Sequence, residues 1–302
     1  MRVETVWRPT LPVDVRRTLS PLQRGRQDPT HQTAADGVVW RTTLTPAGPA
    51  TCALHQRGAH EVHAQAWGPG ATWAIEHVPD LLGARDALDG FAAVHPLLVA
   101  THRRFPGLRI PRTGRVFESL APAILEQKVT GKEARAGFRR LVLAYGEPAP
   151  GPAPEGMRVP PSPEAWRLIP SWVWHRAGVD PQRSRTLITA ARLAGRLEEA
   201  LDLPPAAALA RLRAVPGVGE WTAAEVALRA LGDADALSVG DYHLSQLVGW
   251  ALTGSPLDDA GMVALLEPWR PHRGRVVRLI ELSGASKPAF GPRLTIQDHR
   301  AV

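Results

Sequence analysis

Residues 212–224 read Leu212-Arg213-Ala214-Val215-Pro216-Gly217-Val218-Gly219-Glu220-Trp221-Thr222-Ala223-Ala224. A helical pattern precedes this stretch, over 205–213, and another follows it, over 219–231. Pro216 and two glycines therefore sit in a tight turn between helices. Glycine permits positive φ, and without a Cβ it lets an anion approach the backbone closely. The N–H groups at the start of the second helix have no intrahelical acceptor, and the helix dipole favours negative charge there. Such a turn suits a nucleic-acid phosphate and grips it without reading sequence. Gly-Val-Gly alone would equally make an ordinary helix–helix corner.

The next informative segment is Leu237-Ser238-Val239-Gly240-Asp241-Tyr242-His243-Leu244. An Asp at this place is by itself a helix N-cap. Its setting adds more: the full Pro-Gly-Val-Gly-x-x-Thr-Ala string resembles the helix-hairpin-helix element, and Asp241 follows Trp221 by 241 − 221 = 20 positions. That interval resembles the helix-hairpin-helix-Gly/Pro/Asp DNA glycosylase superfamily, and within it the 3-methyladenine DNA glycosylase II subgroup. Ala123-Ile124-Leu125-Glu126-Gln127-Lys128-Val129, Gly178-Val179-Asp180-Pro181-Gln182-Arg183 and Trp269-Arg270-Pro271-His272-Arg273 are similar to further family segments, in order. The likeness is specific over 115–283 and general before that.

The fold expected is α+β, with a β-containing N-terminal domain (1–85) ahead of a mostly α-helical glycosylase body (86–302) that carries the hairpin at 215–219. Residues 38–44 and 61–67 have strand patterning, with 46–49 and 68–70 as turns. Helices are expected over 86–91, 95–103, 117–145 with a break at Gly131, 166–176, 183–197, 205–213, 219–231, 242–252 and 258–282. Residues 146–163 are dense in Pro and Gly and read as a floppy insert.

The resemblance implies hydrolysis of an N-glycosidic bond in double-stranded DNA containing a damaged base, as in base excision repair. Asp241 is then the catalytic carboxylate that stabilises a cation-like sugar. Trp221, Tyr242 and His272 are the base-pocket candidates, because an aromatic face attracts a positively charged alkylated purine by ~0.5–2 kcal/mol. Trp221 would serve equally as core. Pro216, Gly217, Val218, Gly219, Thr222, Gln127, Lys128 and Arg183 are the candidate DNA contacts. The family's carbonyl site for Na⁺ or K⁺ falls on Arg213, Val215 and Val218; no other cofactor is implied. Family members that also cut the backbone use a lysine where Trp221 stands, so the reading is monofunctional.

Departures from the pattern are His272 for a tryptophan, Glu225 for an aromatic and Lys128 for an apolar wedge. They leave deaminated or bulkier lesions open beside alkylated purines. A non-catalytic helix-hairpin-helix DNA-binding protein and an unrelated helical enzyme are the other classes.

Composition bounds the rest. The 302 residues carry a net charge of +7, almost wholly from arginine, since Lys128, Lys132 and Lys287 are the only lysines. A basic chain suits nucleic acid, although heavy arginine use also follows from a GC-rich genome. The single cysteine, Cys52, excludes an internal disulfide and any four-cysteine metal or cluster site. Residues 1–5 lack an apolar stretch behind a basic one, so no secretion signal is expected, and no run suggests a membrane span. The expected setting is cytoplasmic and nucleoid-associated, with no membrane partner, and the family implies a monomer.

Overall fold

The computed structural model describes residues 1–287. Its N-terminal part is one antiparallel sheet of β1 Arg2–Trp7, β2 His31–Thr33, β3 Val39–Thr45, β4 Gly48–Gln56 and β5 Val62–Trp67, in the order β1-β5-β4-β3-β2. Residues 46–47 turn β3 into β4, with Thr45 opposite Gly48. In β5 the side chains of Val62, Ala64 and Ala66 are buried while His63, Gln65 and Trp67 are half-buried, the two-residue period of a sheet with one covered face. That face is covered by α1 Val15–Leu19, α2 Ala71–Glu76 and α3 Val78–Leu81, through Val15, Leu19, Ile75 and Val78.

The helical body follows: α4 Pro96–Arg104, α5 Val116–Leu125, α6 Gly131–Tyr145, α7 Pro163–Arg167, α8 Ser171–Ala177, α9 Pro181–Arg192, α10 Ala194–Glu198, α11 Pro205–Arg213, α12 Glu220–Val226, α13 Leu244–Thr253, α14 Asp259–Leu266 and α15 Arg273–Ser283. No described helix is long and apolar enough to cross a membrane. Nine of the ten residues of α5 are buried, all but Glu118. A helix apolar on every side must be surrounded, and α9 and α12 pack against this one. Thr130 and Glu133 form a reciprocal capping box at the start of α6.

The apolar core of the helical body falls into two main clusters. One joins α5, α9, α11 and α12 through Leu120, Ile124, Leu187, Leu212, Val218 and Val226. The other joins α4, α13, α14 and α15 through Leu98, Leu244, Val248, Met262, Val276 and Ile280. The segment from Gly232 to His243 crosses from the first cluster to the second, so Asp241 stands at the seam between them.

Several expected elements differ. Residues 86–91 are not helical: Asp86 instead accepts from Ile110 N at 2.9 Å and pairs with Arg275, and the chain then turns at Asp89–Gly90. The helices expected over 166–176, 183–197 and 258–282 each divide. Pro170 and Pro268 remove a backbone donor at two of the breaks, and the 183–197 run divides at Leu193. Strands β1, β2 and β4 had no clear signal. The insert at 146–163 is tied down: Arg158 N donates to Pro29 O at 2.8 Å, Thr42 Oγ1 donates to Arg158 O at 2.6 Å, and Gly151 lies against the Trp67 ring.

Candidate active site at the hairpin seam

Helix α11 ends at Arg213, and Val218 N donates to Val215 O at 2.9 Å to close the turn. Gly217 has φ +90°, and a Cβ there would fall 2.1 Å from Thr186 Oγ1. Glycine is thus required both for its left-handed backbone and for the close approach. Gly219 is different: its backbone is extended, and a Cβ would meet nothing within 4 Å. Pro216, Gly217 and Gly219 are exposed, and no side chain caps the first turn of α12. Val218 buries its side chain in the core and spends its N–H on Val215 O, so the exposed donors of the turn are those of Gly217 and Gly219. The carbonyls of Arg213 and Val218 accept no hydrogen bond among the described residues, so they are free to face a cation; the Val215 carbonyl is shared with Val218 N.

Helix α5 delivers Gln127 to this turn. Its Nε2 donates to Gly217 O at 2.9 Å and to Thr222 Oγ1 at 2.8 Å. Thr222 is therefore a buried brace for Gln127, and at 2 % exposure its side chain does not contact DNA. Lys128 follows with φ +55°, the one non-glycine residue at positive φ among those described, and its side chain is exposed. Non-glycine residues in this region are strained and cluster at functional sites.

Asp241 is half-buried. Its Oδ1 accepts from the N–H groups of His243 at 2.8 Å and Leu244 at 3.0 Å, which cap the start of α13. Its Oδ2 accepts from Trp221 Nε1 at 3.1 Å. The carboxylate is thus held between the first turn after the hairpin and the N-terminus of the next helix, where the dipole favours its charge. Tyr242 beside it is 73 % exposed. Lys287 Nζ donates to Gln246 Oε1 at 2.9 Å, lies 2.9 Å from His243 Nδ1 and stands 5.6 Å from the Tyr242 ring centre. No local pattern marked Lys287, because its neighbours here come from more than 40 positions earlier.

Two more of the sequence-derived residues lie elsewhere. His272 is 4 % exposed and cannot face a base. Its Nε2 meets Asp89 O at 2.9 Å, its Nδ1 accepts from Arg275 Nε at 3.3 Å, and Phe91 stands edge-on to it. With Trp269, which donates to Ala92 O at 3.0 Å, it pins the 86–93 segment to the C-terminal helices. Arg183 is 5 % exposed and is not a DNA contact. Its guanidinium donates to Leu125 O at 2.7 Å, to Gly178 O at 3.0 Å and to Asp180, so it fixes the end of α5 two residues before Gln127.

Glu225 does not make a base pocket polar. It is largely buried, pairs with Arg229 at 2.8 Å and accepts from Ser238 Oγ at 2.6 Å. Burial alone would push its carboxyl up, but Arg229, Ser238 and Arg24 outweigh burial and hold it below the usual range. Through Ser238 it anchors the segment leading to Asp241. A cavity of about 290 Å³ elsewhere, lined by Asp80, Arg112, Leu201 and Leu231, includes none of these site residues.

No protein-family model matches the chain. It is 33 % identical over 207 residues to the probable bifunctional transcriptional activator/DNA repair enzyme AlkA of Mycobacterium tuberculosis, a match that covers 67 % of this chain and 40 % of that protein. The chain thus spans about two fifths of the length of the curated relatives it matches. Among solved structures, the 3-methyladenine DNA glycosylase of Archaeoglobus fulgidus superposes with a TM-score of 0.76 at 17 % identity, covering 94 % of this chain and 98 % of that one. The 8-oxoguanine glycosylase/lyase of Clostridium acetobutylicum, bound to duplex DNA with cytosine opposite 8-oxoguanine, superposes with a TM-score of 0.70 at 13 % identity, covering 93 % and 96 %. These likenesses show an α+β fold, a sheet followed by a helical body, shared with the two glycosylase structures.

Proposed function

We propose, from this fold and the placement of Asp241, that the chain is a monofunctional DNA glycosylase of base excision repair that hydrolyses the N-glycosidic bond of a damaged base in duplex DNA. The observation that carries the reading is the half-buried Asp241 carboxylate, hydrogen-bonded to Trp221 Nε1 one turn beyond the hairpin. The names of the Mycobacterium tuberculosis and Archaeoglobus fulgidus proteins support a DNA substrate and a base-excising activity.

The exposed N–H groups of Gly217 and Gly219 in this turn hold the phosphate backbone, with Lys128 beside them as a point charge. A Na⁺ or K⁺ ion on the Arg213, Val215 and Val218 carbonyls would add positive charge at the same turn. The target nucleotide leaves the stack at a cost of a few kcal/mol, less where damage has weakened pairing. As the bond from the base nitrogen to C1′ breaks, the base takes the electron pair and the sugar becomes cation-like. Asp241 stabilises that charge. Water then adds to C1′ and its proton passes to solvent or the departing base, leaving an abasic site.

Trp221 and Tyr242 supply aromatic faces for an electron-poor base, which favours an alkylated purine. With His272 removed from the pocket, the other side of the base has no assigned partner, so deaminated or bulkier lesions are the second reading. Trp221 occupies the place of the amine in strand-cutting members, and an indole forms no Schiff base. The chain works as a monomer on DNA in the cytoplasm.

The test is a duplex panel carrying methylated purines, hypoxanthine, uracil and 8-oxoguanine, analysed with and without alkali. Release from the methylated purines with strand breaks only after alkali is expected. Strand breaks without alkali, or a borohydride-trapped covalent adduct, would overturn the monofunctional reading and direct attention to Lys287. No release from any lesion would overturn the enzymatic one.

A further inference from the structure

Between the sheet and the helical body lies a cavity of about 50 Å³ whose lining includes none of the hairpin residues 215–219. Four arginines line it, Arg24, Arg41, Arg115 and Arg229, with one carboxylate, Glu118. Both Glu118 oxygens are engaged, one with Arg41 at 2.5 Å, the other with Thr43 Oγ1 at 2.7 Å and Leu44 N at 3.0 Å. Arg229 and Arg24 pair with Glu225 and Glu126, which are not part of the lining. The carboxylate nearest Arg115, Glu198, is 3.9 Å away, and its oxygens accept instead from Val116 N and Phe117 N.

The Nε–H groups of Arg24 and Arg115 are buried and find no acceptor among the described residues, and the Arg24 side chain is only 8 % exposed. A buried donor without an acceptor loses its hydration uncompensated. Native proteins leave few such groups, and those that remain call for a water or an ion. Guanidinium groups match the oxygens of a tetrahedral anion in direction as well as charge.

We propose that this cavity is a binding site for a free inorganic oxyanion of the phosphate or sulfate type, held by Arg24 and Arg115 in the field of Arg41 and Arg229. The space exceeds the ~10–15 Å³ that one water needs and so takes a small ion. The Arg24 and Arg115 side chains are only 8 % and 16 % exposed, which suits a free ion and not a phosphate of a strand lying on the surface. Arg24 and Arg41 belong to the sheet part of the chain, Arg115 and Arg229 to the helical body. The ion bridges the two and stabilises the folded chain by mass action.

The full chain is unfolded thermally in rising inorganic phosphate, against chloride at matched ionic strength. A saturable rise in Tm of several degrees with phosphate is expected, lost in Arg24→Gln and in Arg115→Gln. Where these variants fail to fold, the unaltered protein is crystallised in chloride and soaked in selenate, whose anomalous signal is expected between Arg24 and Arg115. A shift that does not saturate, a shift retained in both variants, or a soaked cavity that holds water alone would overturn the proposal.

Discussion

Trp221 Nε1 donates to Asp241 Oδ2 at 3.1 Å, and so fixes the carboxylate to the first turn after the hairpin. Asp241 Oδ1 is already bound by two backbone N–H groups of the next helix. Removing the indole donor frees one oxygen while leaving the cap intact. Trp221→Phe should therefore slow base release by about tenfold or more, the ~1.5–3 kcal/mol of a hydrogen bond to a charged group. Duplex affinity should stay within about twofold. Single-turnover excision and equilibrium binding measured on the same variant separate the two effects.

Gln127 braces the turn from behind through Gly217 O and Thr222 Oγ1. Gln127→Ala should weaken duplex binding severalfold, yet leave the slope of log K against log salt unchanged, because no charge is lost. Lys128→Ala, at an exposed cation beside the turn, should reduce that slope by about one. Titrations at several salt concentrations distinguish the two.

The Asp86–Arg275 pair joins the segment after the sheet to the last described helix, with both side chains 2 % exposed. Asp86→Ala would leave a buried guanidinium unpaired, and Ile110 N without its acceptor. A loss of about 3–5 kcal/mol is expected in urea unfolding. A double change to Asp86→Ala with Arg275→Leu should recover part of it. A loss below about 1 kcal/mol in the single variant would mean that the segment is held by other contacts.

His31 is buried against the sheet; burial first, and Arg41 second, hold its imidazole down to about 3. In the unfolded chain the same group titrates near ~6.5. Between these values the unfolded chain binds a proton that the folded chain refuses, so stability falls as pH is lowered through that window. At pH 5 the contribution approaches about 2 kcal/mol, from ~1.4 kcal/mol per pH unit. Burial raises the Asp28 carboxyl, which works in the opposite direction at more acid pH. His31→Gln should flatten the fall in unfolding free energy between pH 6.5 and 5, and an unchanged slope would assign that fall to other groups.

What the sequence showed, and what it hid, follows from the range of the interactions. The hairpin, α5 and α6 were legible because Pro216, Gly217, Gly219 and Gly131 punctuate clear helical periods. Glycine at 217 is explained twice over, by its φ and by Thr186. Strand β4 was hidden because Gly48 and Pro49 open it and read as turn residues. Arg183 and His272 were misplaced for one reason. A buried polar side chain takes its role from its acceptor, and theirs, Leu125 O and Asp89 O, lie 58 and 183 positions away. The Glu225–Ser238 bond spans only 13 positions, but nothing in either residue type announces it.

The proposed base excision depends on the chemistry of one carboxylate, and Asp241→Asn removes its charge while keeping its shape. The amide keeps the volume and can still accept from the helix N–H groups, but it carries no charge. Incubated with alkylated duplex DNA and then with alkali, this variant should bind the duplex as tightly as the unaltered protein and release no base above background. Base release at the unaltered rate would contradict the proposed role of Asp241 and, with it, the mechanism.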